Sequence, residues 1–345
     1  MKLMKTEDAV GQVLCHDITQ IIKGITKDAV FRKGHIIREE DIPVLLSVGK
    51  DHIYIWEKDD TVYHENEAAE ILRQMCQNNN MHSSEVKEGK IDLYADCDGL
   101  LKIDKDKLFS VNSFGEMMIG ARHGNFPVRK GDKIAGTRII PLLIKKEKME
   151  QAKAIVGGEP IFEIKPFQIK SAAIITTGNE VLYHRIEDTF TDVVTEKLAE
   201  YNIDVVYHKL SGDDTETITK ACHEAIGQGA ELVICTGGMS VDPDDRTPLA
   251  IKNTGAEIIS YGSPVLPGAM FLLSYYETKN GNKVPIVGLP GCVMYAKRTI
   301  FDLVLPRLAA RDEIRAEELA SLGEGGLCLS CPECIFPNCG FGKGW

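Results

Sequence analysis

Two features are missing from this 345-residue sequence, a membrane-spanning run and an excess of positive charge. No apolar run approaches the roughly 20 residues that a helix needs to cross a bilayer. Lys and Arg number 40 against 51 Asp and Glu, which gives a formal net charge of −11. The sequence has no stretch of clustered Lys and Arg that would bind the phosphate backbone of nucleic acid. We therefore expect neither a membrane nor a nucleic acid among its partners.

The N-terminus also lacks the charged, apolar and small-residue order of a signal peptide. Its first residues read MKLMKTEDAVGQVL, so we expect a cytoplasmic protein. The sequence has 10 cysteines. Because six are scattered and four crowd into the C-terminal tail, their spacing favours reduced thiols and one metal site over disulfides.

The length and the hydrophobic pattern predict more than one domain, since single cores seldom exceed about 250–300 residues. Short strand candidates broken by glycines indicate a β-rich N-terminal part at 1–165. From 166 to 310, apolar runs alternate with amphipathic segments, and 311–345 is expected to be a linker and a Cys-rich tail. The expected strands are 169–177, 203–210, 231–236, 256–261, 269–276 and 285–290, and the expected helices are 188–202, 215–228, 245–254 and 292–309.

This alternation predicts the fold class. Continuous Val and Ile runs are typical of strands that are covered on both faces. We therefore expect an α/β domain, a mostly parallel sheet with helices on both faces, preceded by a smaller β-rich domain.

The informative residues follow the predicted strands, because open α/β sheets bind ligands beyond the carboxyl ends of their strands. These positions are rich in glycine, hydroxyl groups and carboxylates. They are Thr176-Thr177-Gly178-Asn179-Glu180, Ser211-Gly212-Asp213-Asp214, Thr236-Gly237-Gly238-Met239-Ser240 with Asp242-Pro243-Asp244-Asp245, Pro267-Gly268, and Leu289-Pro290-Gly291-Cys292.

Their chemistry suits a phosphate-bearing ligand. Glycine lets the backbone approach a ligand, and helix N-termini favour anions. The hydroxyls of Thr177, Thr236 and Ser240 can donate hydrogen bonds without adding charge. The nearby acids would repel phosphate unless Mg²⁺ lay between them, so a divalent ion is implied. These acids are Glu180, Asp213, Asp214, Asp242 and Asp245.

A purely structural explanation exists for each feature taken alone. A single Gly-Gly pair is commonly just a tight turn. Asp213 and Asp214 also suit the N-cap of the helix at 215–228, and Asp244 or Asp245 could cap the next one. Helix capping does not explain why five acids follow the predicted strands of one sheet. We therefore favour a shared site for an anion and a metal ion.

These segments resemble the molybdenum-cofactor biosynthesis domain over about residues 168–310. The family includes molybdopterin molybdotransferase, molybdopterin adenylyltransferase and the competence-damage-inducible proteins. Its Thr-Gly-Asp-Glu, Asp-Asp and Gly-Gly elements look like 177–180, 213–214 and 237–238. The Pro-Gly and Leu-Pro-Gly elements of the molybdotransferase branch look like 267–268 and 289–291.

The resemblance implies binding of molybdopterin or adenylylated molybdopterin, with insertion of molybdate, release of AMP and use of Mg²⁺. It implies that Asp213, Asp214 and Asp245 are catalytic and that Asp242 and Asp245 hold Mg²⁺. Family members commonly form homo-oligomers, so we expect one here. The implied cofactor-binding residues are Thr177, Gly178, Glu180, Thr236, Gly237, Gly238, Ser240, Pro267, Gly268, Pro290 and Gly291.

Several positions depart from the molybdotransferase pattern. Cys292-Val293 follows Leu-Pro-Gly, where that branch has Asn-Pro. Residues 184–190 read His-Arg-Ile-Glu-Asp-Thr-Phe, where that branch has a Gly-x-Ile-x-Asp-Ser-Asn stretch. Residues 240–243 read Ser-Val-Asp-Pro, where the molybdotransferase branch has Ser-Val-Gly-Asp after the Gly-Gly turn. The string Pro-Asp-Asp-Arg-Thr-Pro at 243–248 is closer to the adenylyltransferase branch. Two alternatives therefore stay open, an adenylyltransferase-like enzyme and a non-catalytic molybdopterin-binding or sensing protein.

The C-terminal tail carries Cys328, Cys331, Cys334 and Cys339 in a Cys-x₂-Cys-x₂-Cys-x₄-Cys run. Four closely spaced thiolates can hold Zn²⁺ or an iron–sulfur cluster. The run resembles ferredoxin spacing but lacks the x₃ gap and the trailing proline. We therefore predict a Zn²⁺ or iron–sulfur site, with a flexible reduced tail as the alternative.

Overall fold

The structure is a computed structural model that describes residues 2–22, 26–55, 59–243 and 245–344. Its contacts divide the chain into two compact units. The first comprises Met1–Asp96, Ile103–Arg122 and Lys130–Glu163, and the second comprises Cys97–Lys102, His123–Arg129 and Ile164–Trp345. The second unit thus includes two short segments from the N-terminal half of the chain. The predicted division at residue 165 assigned both of them to the β-rich N-terminal part.

Strands and helices are numbered in chain order. The strands are β1 Lys2–Lys5, β2 Ile18–Ile22, β3 Thr26–Phe31, β4 His52–Ile55, β5 Val62–His64, β6 Met81–Ser83, β7 Lys90–Ala95, β8 Gly99–Ile103, β9 Met117–Ala121, β10 Phe126–Val128, β11 Lys133–Ile139, β12 Leu143–Lys145, β13 Phe162–Pro166, β14 Ser171–Thr177, β15 Asp204–Ser211, β16 Leu232–Thr236, β17 Glu257–Tyr261, β18 Leu272–Glu277 and β19 Lys283–Leu289. The α-helices are α1 Ile42–Ser47, α2 Glu65–Cys76, α3 Lys105–Ser113, α4 Lys146–Val156, α5 Asn179–Leu182, α6 Phe190–Ala199, α7 Thr215–Gly227, α8 Thr247–Asn253, α9 Ile300–Ala309 and α10 Ala316–Ala320.

The first unit is β-rich, and it also contains helices. Its largest sheet has the antiparallel order β6-β7-β11-β9. Helix α2 begins with a capping box, in which the Asn66 amide donates to Nδ1 of His64 and the His64 amide donates to Glu67. The other ring nitrogen of His64 lies 3.0 Å from the carbonyl oxygen of Cys15. The start of α2 is therefore fixed both locally and by a distant segment of the same unit.

The second unit contains a six-stranded sheet in the order β15-β14-β16-β19-β18-β17. Strands β15, β14, β16 and β19 are parallel, and β18 is antiparallel to both of its neighbours. Nearly every residue of β14, β16 and β19 is buried, whereas the edge strand β15 alternates between exposed and half-buried positions. The strand order and the parallel pairing of four strands confirm the predicted mostly parallel α/β fold.

Helices provide that cover on both sides of the sheet. On one face, Ile174 and Ile234 belong to a core that includes residues of α6 and α9. On the other face, Ile175 and Cys235 belong to a core with residues of α7 and α8. Alternate residues of each strand thus enter different cores, as the pleat requires.

Where the sequence predicted one helix at 292–309, the structure has two separate elements. Gly291–Met294 forms a 3₁₀ turn, and α9 begins only at Ile300. The cause is a capping box, in which the Thr299 hydroxyl accepts from the Phe301 amide and the Asp302 carboxylate accepts from the Thr299 amide at 2.7 Å. A residue that caps a helix has an extended backbone, so the earlier turn cannot be continuous with α9.

The second unit continues beyond residue 310 without a break in its core. Ile314, Leu319 and Phe341 are buried in the same cluster as α9. Asp312 accepts hydrogen bonds from Lys102 and Lys165, both at 2.8 Å, and from Arg307 at 2.6 Å. The region predicted as a linker and tail therefore belongs to this unit.

The Asp312 carboxyl is buried, and burial by itself would raise its pKa. Hydrogen bonds from Lys102 and Lys165, with the charge of Arg307, outweigh burial and lower the pKa of Asp312 to about 2. The ion cluster therefore stabilises the charged carboxylate in the folded state.

No helix in the described part of the chain is long and apolar enough to span a membrane.

Replacing Asp312 with Asn is expected to lower the free energy of unfolding by about 3 kcal/mol, because it leaves buried cations without their carboxylate. A group whose pKa is lowered on folding stabilises the protein above its ordinary pKa. That contribution, about 2 kcal/mol, is lost as the pH falls from near 4 towards 2. Urea unfolding from pH 6 to pH 2 measures both effects.

The matched control is Asp192→Asn, at an exposed position of α6. Its unfolding free energy should stay within about 0.5 kcal/mol of the wild type. Equal stability of the Asp312 and Asp192 variants at pH 6 would contradict the role assigned to the cluster.

Candidate functional site

Two of the predicted loops meet at the carboxyl ends of β14 and β16. The Thr177 hydroxyl donates to the Thr236 carbonyl oxygen at 3.1 Å and lies 3.0 Å from the Thr247 hydroxyl. Gly237 and Gly238 both have positive φ, 84° and 55°. A Cβ on Gly237 would overlap the Thr177 carbonyl oxygen, and one on Gly238 would lie 2.7 Å from the Thr247 hydroxyl oxygen. Only glycine therefore fits this turn.

Thr236 ends β16 directly before the turn. Its side chain is fully buried at 0% exposure, and its hydroxyl has no hydrogen-bond partner among the described residues. An unsatisfied buried hydroxyl costs about 1–3 kcal/mol, so such groups are rare without a reason. In the sheet register Thr236 lies between Thr176 and Leu289, at the carboxyl ends of the central strands. This hydroxyl is a candidate ligand contact.

The loops after β14 and β15 also adjoin. The Gly178 amide donates to the Ser211 carbonyl oxygen at 3.1 Å, and the Asn179 amide donates to the Asp213 carboxylate at 3.1 Å. The Glu180 carboxylate folds back against Gly178, where a Cβ would lie 2.6 Å from Oε1. The structure thus brings Gly178, Glu180 and Asp213 to the same edge as Thr177.

Asp214 has a local structural role. Its carboxylate accepts from the amide of Thr217 at 2.8 Å and from the hydroxyl of Thr217 at 2.6 Å, at the start of α7. These bonds lower the pKa of Asp214. The capping explanation therefore accounts for this residue without a ligand.

Asp242 and Asp245 are joined in one turn, in which Asp242 is exposed and Asp245 is half-buried. The Asp245 amide donates to the Asp242 carbonyl oxygen at 2.9 Å, and the Asp242 amide donates to the Asp245 carboxylate at 3.2 Å. Asp244 lies outside the described residues. Ser240 is exposed in the same loop, close to this turn.

The predicted metal sites are not preassembled. Over residues 2–22, 26–55, 59–243 and 245–344, no three His, Cys, Asp or Glu side chains are placed to hold a metal ion. Asp242 and Asp245 supply two carboxylates, so Mg²⁺ there would need its other ligands from phosphate and water, and this site stays a prediction. The four tail cysteines are not arranged around a common ion either.

Tyr261 supports the Gly-Gly loop from β17, although no sequence motif pointed to it. Its hydroxyl donates to the Met239 carbonyl oxygen at 2.8 Å. Burial and the nearby Asp245 carboxylate raise the pKa of Tyr261. The phenol therefore stays protonated and remains a donor to the loop at neutral pH.

A second unpredicted cluster lies beside Thr176. The Asp188 carboxylate accepts from the hydroxyls of Thr176 at 3.1 Å and Thr191 at 2.5 Å, and His208 Nε2 lies 3.0 Å from the Thr191 hydroxyl. Burial opposes the charge on Asp188, but hydrogen bonds from Thr191 and Phe190 lower its pKa. The sequence did carry a signal, because Asp188 keeps the aspartate of the Gly-x-Ile-x-Asp-Ser-Asn stretch, as Ile186 keeps its isoleucine.

The two proline–glycine pairs lie in different surroundings. Pro290 is buried directly after β19, whose Leu289 pairs in register with Thr236, and Gly291 is exposed. The Pro267 carbonyl oxygen accepts from the Ile300 amide at 3.2 Å, and a Cβ on Gly268 would overlap the Ile300 side chain. Pro290 and Gly291 thus lie near Thr236, whereas Pro267 and Gly268 contact the start of α9.

Comparison with protein families gives two matches. Residues 173–310 match the family described as "Probable molybdopterin binding domain", and residues 3–57 match a domain of unknown function. The match at 173–310 runs from within β14 to the end of α9 and includes the loops described above.

Among curated proteins, the chain is similar to putative competence-damage inducible proteins of Bacillus. One from Bacillus thuringiensis (strain Al Hakam) is 32% identical over 128 residues, covering 36% of this chain and 31% of the relative. One from Bacillus cereus is 33% identical over 132 residues, with the same coverage. The chain thus spans about a third of the length of these relatives.

Similar solved structures include the tungsten cofactor synthesizing protein MoaB from Pyrococcus furiosus, 19% identical with a TM-score of 0.32, covering 42% of this chain and 89% of that one. The protein CinA from Thermoplasma acidophilum is 18% identical with a TM-score of 0.32, covering 41% of this chain and 98% of that one.

The expected family resemblance is thus confirmed for the second unit by the matched residues. Residues 173–310, with the loops at the carboxyl ends of β14 and β16, are thus similar to the probable molybdopterin binding domain.

Proposed function

We propose that the second unit binds molybdopterin at the carboxyl edge of its sheet, and that the chain acts on the adenylylated form during cofactor assembly. In this reaction molybdate is inserted and AMP is released. The observation that carries the proposal is the buried Thr236 hydroxyl, which lacks a protein partner among the described residues and immediately precedes the Gly237-Gly238 turn.

The turn has the properties of an anion-binding loop. Its positive φ angles and the absence of side chains at Gly237 and Gly238 expose backbone N–H groups that can approach a phosphate. Thr177 fixes the turn through its contacts with Thr236 and Thr247. A rigid turn loses little conformational entropy when it binds, which favours affinity.

Mg²⁺ belongs, in this proposal, to the nucleotide substrate and not to a protein site. The Asp214 carboxylate already caps α7, and the Asp245 carboxylate accepts from the Asp242 amide within the turn. Asp245 lies in the loop that follows the Gly237-Gly238 turn, and a carboxylate alone would repel phosphate. We therefore assign it the role of contacting the Mg²⁺ that the nucleotide brings.

A second candidate function is binding without turnover. It is favoured by one observation, that no three acidic, histidine or cysteine side chains in the described part of the chain are placed around a metal position. Binding and AMP release therefore have to be measured separately.

Replacing Thr236 with Val tests the binding proposal. Valine keeps the shape of the side chain and removes the unpaired hydroxyl, so the free energy of unfolding should stay equal or rise. Loss of the ligand hydrogen bond should weaken molybdopterin binding about tenfold. Equilibrium titration of the full chain with molybdopterin under anaerobic conditions measures the affinity, and urea unfolding measures the stability.

Thr254→Val is the matched control, because the buried Thr254 hydroxyl donates to the Ile251 carbonyl oxygen at 2.6 Å, away from the loops. This variant should lose about 1 kcal/mol of stability and bind normally. If Thr236→Val binds molybdopterin as tightly as the wild type, or if the wild type does not bind it, the proposed site is wrong.

The turnover proposal makes a separate prediction. With adenylylated molybdopterin, Mg²⁺ and molybdate, the wild type should release AMP. Asp245→Asn should release it at least tenfold more slowly, because the amide keeps the turn hydrogen bond but removes the charge. Chromatographic measurement of AMP against time gives the rate.

The control for this assay is Asp192→Asn, which changes an exposed carboxylate of α6 and should release AMP at the wild-type rate. Tight binding by the wild type without molybdate-dependent AMP release would exclude the transferase and leave the binding function.

A further inference from the structure

Tyr261 is bonded to the loop that continues from the Gly237-Gly238 turn. It is the last residue of β17, which forms one edge of the six-stranded sheet. Its hydroxyl donates to the Met239 carbonyl oxygen at 2.8 Å and lies 3.4 Å from the Ser240 carbonyl oxygen. One side chain from a distant strand thus contacts two consecutive carbonyl groups of the loop.

Met239 is fixed by packing as well as by this bond. Its side chain is 4% exposed and belongs to the core that includes residues of α7 and α8. A Cβ on Gly288 of β19 would lie 2.5 Å from the Sδ and Cε atoms of Met239, so the thioether packs directly on the sheet. Packing therefore sets the position of the residue, and the Tyr261 hydroxyl is the only donor to its carbonyl oxygen among the described residues.

The direction of each carbonyl group fixes the direction of the next amide. A trans peptide bond is planar, and its C=O and N–H groups point in opposite directions. Because the Met239 and Ser240 carbonyl oxygens face the Tyr261 hydroxyl, the amide hydrogens of Ser240 and Val241 point away from it. Neither amide donates to another group in the described part of the chain. Both are therefore available to a ligand.

We propose that Tyr261 is a positioning residue, which directs the amides of Ser240 and Val241 towards the phosphate group of molybdopterin. This role rests on the proposed function and specifies which part of the ligand the loop binds. Consecutive backbone N–H groups in a turn form sites for anions. Phosphate is the anionic part of the ligand, and its oxygens accept the hydrogen bonds that such amides donate.

Tyr261 acts through the loop and not by direct contact with the phosphate. A phenol has one hydrogen to donate, and the Met239 carbonyl oxygen takes it. The phenol oxygen can then only accept, so it has no hydrogen bond to offer to a phosphate oxygen. Because the phenol is neutral, it also adds no charge that would repel the ligand.

Tyr261→Phe keeps the aromatic ring and removes the bond to the loop. Tyr261 is 47% exposed, so the thermal midpoint of the variant should stay that of the wild type. Its affinity for molybdopterin should fall about fivefold, because the two amides lose their fixed direction. Its affinity for molybdopterin without the phosphate should stay within about twofold of the wild type. Anaerobic equilibrium titration of the full chain measures both affinities.

The comparison of the two ligands separates positioning from a general disturbance of the site, which would weaken both of them equally. A measurement without ligand tests the bond itself. A carbonyl carbon that accepts a hydrogen bond resonates downfield of one that does not. With ¹³C at the methionine carbonyl carbons of the full chain, the Met239 resonance should move upfield in Tyr261→Phe.

Tyr207→Phe is the matched control, because the Tyr207 hydroxyl donates to Glu224 at 2.9 Å on β15, the opposite edge strand. It should bind both ligands as the wild type does and leave the Met239 resonance in place. An unchanged Met239 resonance in Tyr261→Phe, wild-type affinity for molybdopterin, or an equal loss for both ligands would overturn the role of Tyr261. A wild type that binds neither ligand would refute the proposed function, and this role with it.

Discussion

The Thr177 hydroxyl holds together the two loops on which the candidate site depends. Through the Thr236 carbonyl oxygen and the Thr247 hydroxyl, it links the end of β14 to the end of β16 and to the start of α8. The Gly237-Gly238 turn fits only because neither residue has a Cβ. The contact uses the Thr236 carbonyl oxygen, while the Thr236 hydroxyl is buried without a protein partner among the described residues. The proposed ligand contact rests on that hydroxyl.

The sheet could be predicted from the sequence because β14, β16 and β19 each carry a continuous run of mostly apolar residues, which is typical of central parallel strands. The roles of the carboxylates could not be predicted from the sequence. Asp214 at a strand end looks the same in sequence whether it caps a helix or faces a ligand, and only its bonds to Thr217 decide between them. Asp188 and His208 are far apart in sequence, so only the fold shows that they share one cluster.

The C-terminal region shows a different limit of sequence reasoning. Its buried anchors are sparse, with Ile314, Leu319 and Phe341 separated by polar and glycine-rich stretches, so no periodic pattern predicts that it joins the core. Asp312 joins it through cations from three separate segments, and such long-range pairing has no local signal. The cysteine spacing was visible from the start, whereas the cavity of about 530 Å³ that all four tail cysteines line was not.

Amide hydrogen exchange with and without molybdopterin tests the central claim most directly, because it reports where the ligand binds without assuming any turnover. The account predicts slower exchange in residues 177–180 and 236–247, at the carboxyl ends of β14 and β16, while the amides of the first unit stay unchanged. Unchanged exchange in both segments at a saturating ligand concentration, or protection confined to the first unit, would contradict it.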